Sequence, residues 1–230
     1  MHRLRGRADL PDPACMAGMT ARRSFTREGE DQRRQDLVDA TLTCIATLGM
    51  ERTTVREIAI KAGVTAGLIR HYFASKDELV LAAYTHYVEQ ITVQSREAVD
   101  GSAEPLQRLA TFVRTSLMPP VVDQTKLSLW AGFIEHVRTN PEMAAVHRQG
   151  YLASRDDATA LINAALIHGG QRPDDAALRR YSIAVNAIID GLWLEGSMSP
   201  DQFKSGEIVS IAFAAIEALL QLKLPAEIEI

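Results

Sequence analysis

Apolar residues recur every three to four positions along most of the chain from residue 31 to residue 222, which is the period of an amphipathic α-helix. No segment alternates apolar and polar residues for long enough to predict a β-strand. Short breaks rich in Gly, Pro, Asn and Ser separate the helical segments. Residues 1–30 contain many Arg and lack apolar periodicity, so we expect a flexible tail there. The pattern therefore predicts an all-α protein.

The positions of these breaks predict about nine helices. Numbered in chain order, they are expected at residues 32–48, 54–62, 65–72, 75–100, 105–117, 122–138, 141–168, 173–195 and 200–222. Two of the starts carry a capping-box pattern, Thr54 with Glu57 and Ser75 with Glu78. Gly63 supplies a turn conformation between helices two and three that a side chain would resist. This region therefore contains two short helices joined by a tight turn and followed by a third capped helix.

Helices two and three have the spacing of a helix-turn-helix, which presents one short helix to a DNA major groove. Ile69 and Phe73, four residues apart, are expected to anchor helix three to the core. The residues that then point outward, towards the bases, are Ala66, Gly67, Arg70 and His71. Arg can bind guanine O6 and N7 with two hydrogen bonds, and His can donate to a base or a phosphate. Side chains suited to phosphate contacts lie at the rims of this face, at Thr54, Thr65, Tyr72 and Lys76.

The distribution of charge changes the picture given by the net charge of −4. Residues 1–76 hold 13 Lys and Arg against 9 Asp and Glu, whereas residues 77–230 hold 12 against 20. A basic head on an acidic body suits a chain that meets phosphate at one end only, although chance asymmetry would look the same. Arg22, Arg23 and Arg27 precede the head, where flexible arginines either enter a minor groove or only make a tail soluble.

The composition favours an intracellular protein. Cys15 and Cys44 form no metal-ligand pattern, no secretory signal is seen, and no apolar run approaches the ~20 residues that span a bilayer. We therefore expect a cytoplasmic protein without a membrane partner, a metal or a cofactor. His86 and Glu89 share a helix face as metal ligands might, but no second pair accompanies them. No catalytic residues are expected, and an enzyme or a protein-interaction bundle without a DNA role is the alternative.

The sequence from residue 33 to residue 79 resembles the signature of the TetR family of transcriptional repressors. The resemblance lies in Ala62-Gly63-Val64 and, nine residues later, in the stretch HYFASKDEL of residues 71–79. It implies an all-α homodimer with a DNA-binding head, here residues 31–76, and a larger ligand-binding and dimerisation body, here residues 77–224. It also implies that helix three reads palindromic operator DNA. A small molecule in the body then moves helix four, separates the two heads and releases the DNA.

Helices eight and nine are apolar on more than one side, whereas a helix that packs on one side needs only one apolar face. Residues 208–222 read IVSIAFAAIEALLQL, and such a helix must be covered on more than one side. Either a single core covers it, or two copies of the chain form a four-helix bundle around a twofold axis. The second interpretation is favoured, and TetR proteins dimerise in the same region.

The body resembles the branch of the family that contains the choline-responsive repressor BetI, in residues 126–136, 140–148 and 190–197. Quaternary ammonium ligands are held by aromatic faces and a carboxylate, which makes choline a candidate effector. The candidate pocket residues are Trp130, Phe133, Glu135, Asn186, Asp190 and Trp193. Any single aromatic residue among them is more often part of a helical core. Asn186 and Asp190, on a largely apolar helix, either line the pocket or form hydrogen bonds across the dimer axis.

Overall fold

A computed structural model of the protein describes residues 13–97, 104–119 and 121–225, without the side chains of residues 13–28 and 92–97. Within these ranges the chain forms α-helices and no β-strand, which confirms the predicted all-α class. The helices are α1 Pro13–Leu48, α2 Val55–Ala62, α3 Ala66–Tyr72, α4 Lys76–Glu97, α5 Pro105–Ser116, α6 Gln124–Thr139, α7 Pro141–His168, α8 Asp175–Met198 and α9 Glu207–Leu220. None of these helices combines the length and the apolar character that crossing a membrane requires.

Helix α1 is longer than the sequence predicts. It begins at Pro13 and not at about residue 32, so residues 13–30, expected as a flexible tail, are helical. This segment has no apolar face, but it is rich in Ala, Met, Arg and Glu, which favour helix, and Pro suits a first helical turn. Local helix propensity therefore outweighs the missing periodicity. Residues 1–12 of the expected tail lie outside the described residues, as do the side chains of Arg22, Arg23 and Arg27.

The two short helices of the head, α2 and α3, begin and end within a residue of the predicted positions. Thr54 and Thr65 are the N-caps of α2 and α3, and their Oγ1 atoms accept hydrogen bonds from the N–H groups of Glu57 and Leu68, each at 3.2 Å. Gly63 ends α2 with φ of 65°, a left-handed conformation that strains any residue with a side chain. Gly63 and Thr65, from which the sequence predicts the tight turn between α2 and α3, are therefore the residues that form it.

The last helix is shorter than predicted. A single 3-10 turn, Pro200–Gln202, comes first, and α9 begins only at Glu207. The break lies at Gly206, whose φ of 77° is left-handed and does not continue a helix. The Glu207 carboxylate then accepts a hydrogen bond from the N–H of Lys204 at 2.8 Å. The predicted end of helix four, at residue 100, lies outside the described residues, and α4 is described as far as Glu97.

Buried apolar side chains form three clusters. The head cluster joins α1, α2, α3 and the start of α4. The body cluster joins α5, α7, α8 and α9. A third cluster, which we name the joining cluster, lies between α1, α4, α6 and α7; its members are Ile45, Met50, Val80, Tyr84, Tyr87, Leu129, Phe133 and Met143. Because the joining cluster takes residues from both sides of residue 76, head and body are connected by packed side chains as well as by the chain itself.

Candidate DNA interface and effector site

Helix α3 is fixed to the head through its inner side. Ile69 and the C-cap residue Phe73 are each only 2% exposed and belong to the head cluster. The guanidinium carbon of Arg34, on α1, lies 4.7 Å from the centroid of the Phe73 ring, which is a cation–π contact. Sequence reasoning missed Arg34, because no local pattern links two residues so far apart in the chain. These contacts orient α3 and leave its other side towards solvent.

The outer side of α3 carries the residues predicted to read bases. Gly67, Arg70 and His71 are exposed, and Ala66, the first residue of the helix, is partly buried. The exposed guanidinium of Arg70 has the donors and the freedom to approach a guanine edge in a major groove. Exposure is what the sequence predicts for this face, and the base contacts themselves stay predictions.

The residues predicted to contact phosphate lie around this face. Thr54 and Thr65 are exposed, and each hydroxyl accepts a cap hydrogen bond, which leaves its own hydrogen free to donate to a phosphate oxygen. Tyr72 is partly buried, and its ring meets the His71 ring edge to face with centroids 5.2 Å apart. Lys76 is the first residue of α4 and is partly buried. The two threonines and Lys76 therefore stand at helix N-termini, where free N–H groups add affinity for anions.

The link from α3 to α4 is capped on both sides. Ser75 Oγ accepts a hydrogen bond from the N–H of Glu78 at 3.1 Å, as the capping-box pattern predicts. The Glu78 carboxylate accepts from the N–H of Ala74 at 2.7 Å, one residue further back than a standard capping box. Leu79 then enters the head cluster, and Tyr84 enters the joining cluster. Helix α4 is thus attached to the head at its start and to the body a few turns later.

Two of the candidate effector residues meet in the structure. The rings of Trp130 on α6 and Trp193 on α8 lie edge to face, with centroids 6.0 Å apart. The indole N–H of Trp193 donates to the carbonyl oxygen of Val121 at 2.9 Å, which fixes that ring. Trp130 is 40% exposed, a large fraction for so large an apolar side chain. The pair therefore presents one fixed ring and one open ring.

Phe133 and Glu135, the other two candidates on α6, have other surroundings. Phe133 is 1% exposed and packs in the joining cluster, with ring centroids 4.8 Å from Tyr84 and 5.9 Å from Tyr87. Glu135 is exposed to solvent. Phe133 thus has the burial that the core alternative predicts, and its contact with an effector stays a prediction.

A group of aromatic and basic side chains between α4, α6 and α7 was not predicted. The Tyr84 hydroxyl lies 2.8 Å from His147 Nδ1, and the His147 ring stacks on Tyr151 with centroids 6.2 Å apart. The ammonium nitrogen of Lys126 lies 5.7 Å from the centroid of the Tyr87 ring. Burial raises the pKa of Tyr84 to about 12 and also raises the pKa of Tyr87. Two sequence signals indicate this group: the three-residue spacing of Tyr84 and Tyr87 on α4 and the four-residue spacing of His147 and Tyr151 on α7.

Asn186 and Asp190 form a polar pair on α8. The Asn186 amide donates to the Asp190 carboxylate at 2.6 Å. Asp190 is open to solvent on one side, but the groups around it remove enough water to raise the pKa of its carboxyl, and the Asn186 hydrogen bond only partly offsets this. Ile183, one turn before Asn186, is exposed on the same helix. The pair therefore lies beside an uncovered apolar residue.

His86, considered with Glu89 as a metal pair, has other partners. Its Nε2 atom lies 2.9 Å from the amide nitrogen of Gln35 on α1 and 2.8 Å from that of Gln90. The Gln35 amide also donates to Asp39 at 2.9 Å. His86 thus belongs to a hydrogen-bonded network between α1 and α4. Among the described residues, no group of three or more His, Cys, Asp or Glu side chains is placed to hold a metal ion.

Comparison with known protein families identifies both parts of the chain. Residues 37–83 match the model of bacterial regulatory proteins of the tetR family. Residues 105–221 match the model of the C-terminal part of BetI-type transcriptional repressors. The first match contains the turn at Gly63 and the whole of α3, and the second contains Trp130 and Trp193.

Curated relatives align over more than four fifths of the chain. The HTH-type transcriptional regulator BetI of Stenotrophomonas maltophilia (strain R551-3) is 32% identical over 197 residues, which cover 84% of this chain and 95% of the relative. The regulator BetI of Proteus mirabilis (strain HI4320) is 31% identical over 192 residues, which cover 83% and 92%. These relatives are transcriptional regulators, so the prediction that the chain is not an enzyme is confirmed.

Solved structures share the fold. A protein from Pseudomonas aeruginosa PAO1, described as a transcriptional regulator, matches with a TM-score of 0.74 and 30% identity over 83% of this chain and 91% of its own. A regulator from Saccharomonospora viridis, solved in complex with choline, matches with a TM-score of 0.67 and 19% identity over 83% and 96%. At that identity the second match concerns the fold alone. The chain therefore belongs to the TetR family of bacterial transcriptional regulators, among the proteins with a BetI-type C-terminal part.

Proposed function

We propose that this regulator is a repressor that binds palindromic operator DNA as a homodimer and is released by a small-molecule effector. The observation that carries the DNA part is the outer side of α3, where Arg70 and His71 are exposed while Ile69 and Phe73 are buried. In this proposal residues 31–76 bind DNA, and residues 77–224 bind the effector and pair the subunits. A repressor of a bacterial operator acts in the cytoplasm.

The proposed dimer uses α8 and α9 of both copies. Ile183 on α8 and Ile211 on α9 are 36% and 42% exposed in the single chain, and Ala187, Ala214 and Ala218 are exposed on the same two helices. A second copy that covers such apolar side chains removes them from water, as in a four-helix bundle around a twofold axis. The two heads then meet two half-sites that are spaced by about one or more turns of DNA.

The proposed effector is a quaternary ammonium compound such as choline. Three observations support it: the open ring of Trp130 beside Trp193, the description of the curated relatives as BetI, and the choline complex of a protein with the same fold. A cation without N–H donors binds to the faces of aromatic rings. The carboxylate in this proposal is Asp190, oriented by Asn186 and three residues before Trp193 on α8.

The way α4 is attached supports release of DNA by the effector. Leu79 packs in the head cluster, and Tyr84 and Tyr87 pack in the joining cluster, so α4 cannot move in the body without acting on the head. Effector binding in the body shifts α4, changes the separation of the two α3 helices and removes their match to the half-sites. The effector acts only to the extent that it binds the released state more tightly.

Operator binding tests the proposal. In a gel shift with the intergenic DNA upstream of the gene, we expect one complex that contains two chains. Raising salt from about 50 mM to about 200 mM weakens it steeply, because phosphate contacts release counterions. A shuffled DNA of equal length is the control, and choline is added to the preformed complex. A folded dimer that binds no DNA from this region contradicts the DNA part of the proposal, and a complex insensitive to choline contradicts only the effector part.

A further inference from the structure

Helix α6 touches the DNA head through a glycine. A Cβ atom added to Gly132 would lie 3.1 Å from Cγ2 of Ile45 on α1 and 3.9 Å from Cβ of Met50. The first distance is closer than carbon atoms normally pack, so a side chain at residue 132 requires a neighbour to move. The backbone of α6 is therefore seated directly against the end of α1.

The opposite side of the same helix carries the proposed effector contact. Trp130 precedes Gly132 by two residues, which is a rotation of about 200° around a helix, so the two residues point in nearly opposite directions. Trp130 meets Trp193 on α8, whereas Gly132 meets α1. One rigid helix thus spans the distance from the tryptophan pair to the head.

Ile45 has little freedom to give way when α6 moves. Its side chain is 0% exposed, and Val80, Tyr84 and Phe133 belong to the same packed cluster. A β-branched residue in a helix also has essentially one χ1 rotamer. A shift of α6 therefore moves the end of α1 itself. The turn that leads to α2 follows at once, at Gly49, whose φ is 81°.

We propose that Gly132 is a positioning residue through which α6 sets the placement of the DNA head, in parallel with α4. This inference rests on the proposed function, since it takes α3 as the operator contact and Trp130 as an effector contact. When the effector binds beside Trp130, α6 shifts against Ile45 and carries the end of α1 with it. A methyl group added at residue 132 produces part of that shift in the absence of the effector.

The test is the substitution Gly132→Ala in the full-length protein. We expect operator affinity to fall by about fivefold or more, the range of typical allosteric couplings. Because the variant populates the released state, which the effector binds more tightly, choline affinity, measured by tryptophan fluorescence, rises in the same variant. A merely structural role would lower the melting temperature and would not move the two affinities in opposite directions. Hydrogen exchange of residues 41–53, which needs neither DNA nor choline, is expected to be faster than in the unsubstituted protein.

A matched control and a rescue separate the contact from a general effect of the substitution. Gly29→Ala makes the same change on α1, where nothing lies within 4 Å of the added methyl group, and it leaves both affinities unchanged. Ile45→Leu removes the Cγ2 methyl group that faces residue 132 at nearly constant side-chain volume. In the double variant Gly132→Ala with Ile45→Leu, we expect operator affinity and the rate of hydrogen exchange of residues 41–53 to return towards those of the unsubstituted protein.

The inference is overturned if Gly132→Ala matches Gly29→Ala in operator affinity and in hydrogen exchange, or if Ile45→Leu restores neither quantity. Should Gly132→Ala fail to fold, Ile45→Leu alone still tests the inference. It loosens the contact between α6 and Ile45, so it must weaken the effect of choline on operator affinity. Failure of the unsubstituted protein to bind any operator is a different result. It contradicts the proposed function, while hydrogen exchange of residues 41–53 still reports on the contact.

Discussion

The indole rings of Trp130 and Trp193 meet edge to face, with centroids 6.0 Å apart and planes inclined by 70°. A hydrogen bond from its indole N–H to the carbonyl oxygen of Val121 ties Trp193 in place. The part of Trp130 that is exposed in the single chain, 40% of the residue, is covered by a ligand, by a second copy of the chain or by solvent alone. The three cases are separable by experiment, because a ligand adds a cation to the open face and a second copy adds apolar side chains.

Choline is expected to raise the melting temperature of the protein, since a ligand that binds only the native state stabilises it by about 2.7 kcal/mol at one hundred times its dissociation constant. Trp130→Leu removes the aromatic face and is expected to abolish the rise, whereas Trp130→Phe keeps part of it. The measurement is thermal unfolding with and without millimolar choline. An equal rise in the unsubstituted protein and in Trp130→Leu would place the ligand elsewhere.

Arg70→Ala and Lys76→Ala are expected to weaken DNA binding in different ways. Loss of a two-donor contact to guanine costs about 1–3 kcal/mol at the matching base pair and relaxes sequence preference there. Loss of a phosphate contact weakens binding to all DNA alike and lowers the salt slope by about 1. Both are measured by titrating operator and shuffled DNA at several salt concentrations. Lys204→Ala, an exposed residue just before α9, is the control for loss of one positive charge.

If Arg70→Ala instead weakens binding to operator and shuffled DNA by the same factor, Arg70 contacts phosphate and not a base. If Lys76→Ala changes the preferred sequence, the assignment of the rim to phosphate is wrong at that residue.

Thr65→Ala is expected to reduce both stability and operator binding. The Thr65 hydroxyl caps α3, and loss of such an N-cap costs about 1 kcal/mol. The same change removes a hydroxyl that we assign to phosphate. Thr65→Ser keeps the hydroxyl and is expected to preserve both properties. Urea unfolding and a gel shift measure the two effects, and a stable Thr65→Ala protein would show that α3 does not depend on this cap.

The ends of the head helices were predictable, because the rules that set them act over three or four residues. A threonine hydroxyl caps its own helix at Thr54 and Thr65, and the turn at Gly63 depends on one backbone conformation. The start of α1 was not predictable in the same way. Apolar periodicity reports which side of a helix is covered, and residues 13–30 form a helix without such a side.

The effector site was less predictable than the exposed side of α3, because it depends on contacts between distant segments. Ile69 lies on α3 and Phe73 is its C-cap, so the burial of these two neighbours decides which residues of α3 point outward. By contrast, the neighbours of Phe133 are tyrosines of α4, and the neighbour of Trp130 comes from α8. Helical spacing places the two residues of α6 near each other, but tertiary packing gives them different neighbours, α4 for Phe133 and α8 for Trp130.

Glu217→Gln is expected to destabilise the protein near neutral pH. The Glu217 carboxylate accepts hydrogen bonds from the Lys223 ammonium at 2.6 Å and from the N–H of Leu224 at 2.9 Å, beyond the end of α9. The Lys223 hydrogen bond first, and then that of Leu224, hold its pKa below the ordinary 4.5. A carboxyl with a lowered pKa stabilises the fold above its unfolded value, and the contribution is lost as pH falls through the folded value. The difference between the two proteins in urea unfolding should therefore vanish in acid.

Asp190→Asn is expected to have the opposite pH dependence. Desolvation raises the pKa of the Asp190 carboxyl above its ordinary 3.8, so the folded state holds the charged form less favourably than the unfolded chain does. The resulting penalty is fully present above the folded pKa and disappears as pH falls to the unfolded value. Asp190→Asn therefore raises the stability near pH 7, and the gain shrinks in acid. Urea unfolding between about pH 7 and about pH 4 measures it, with Asp156→Asn at an exposed site of α7 as the control. A loss of stability near pH 7 would instead mean that Asp190 gains a positively charged partner in the dimer.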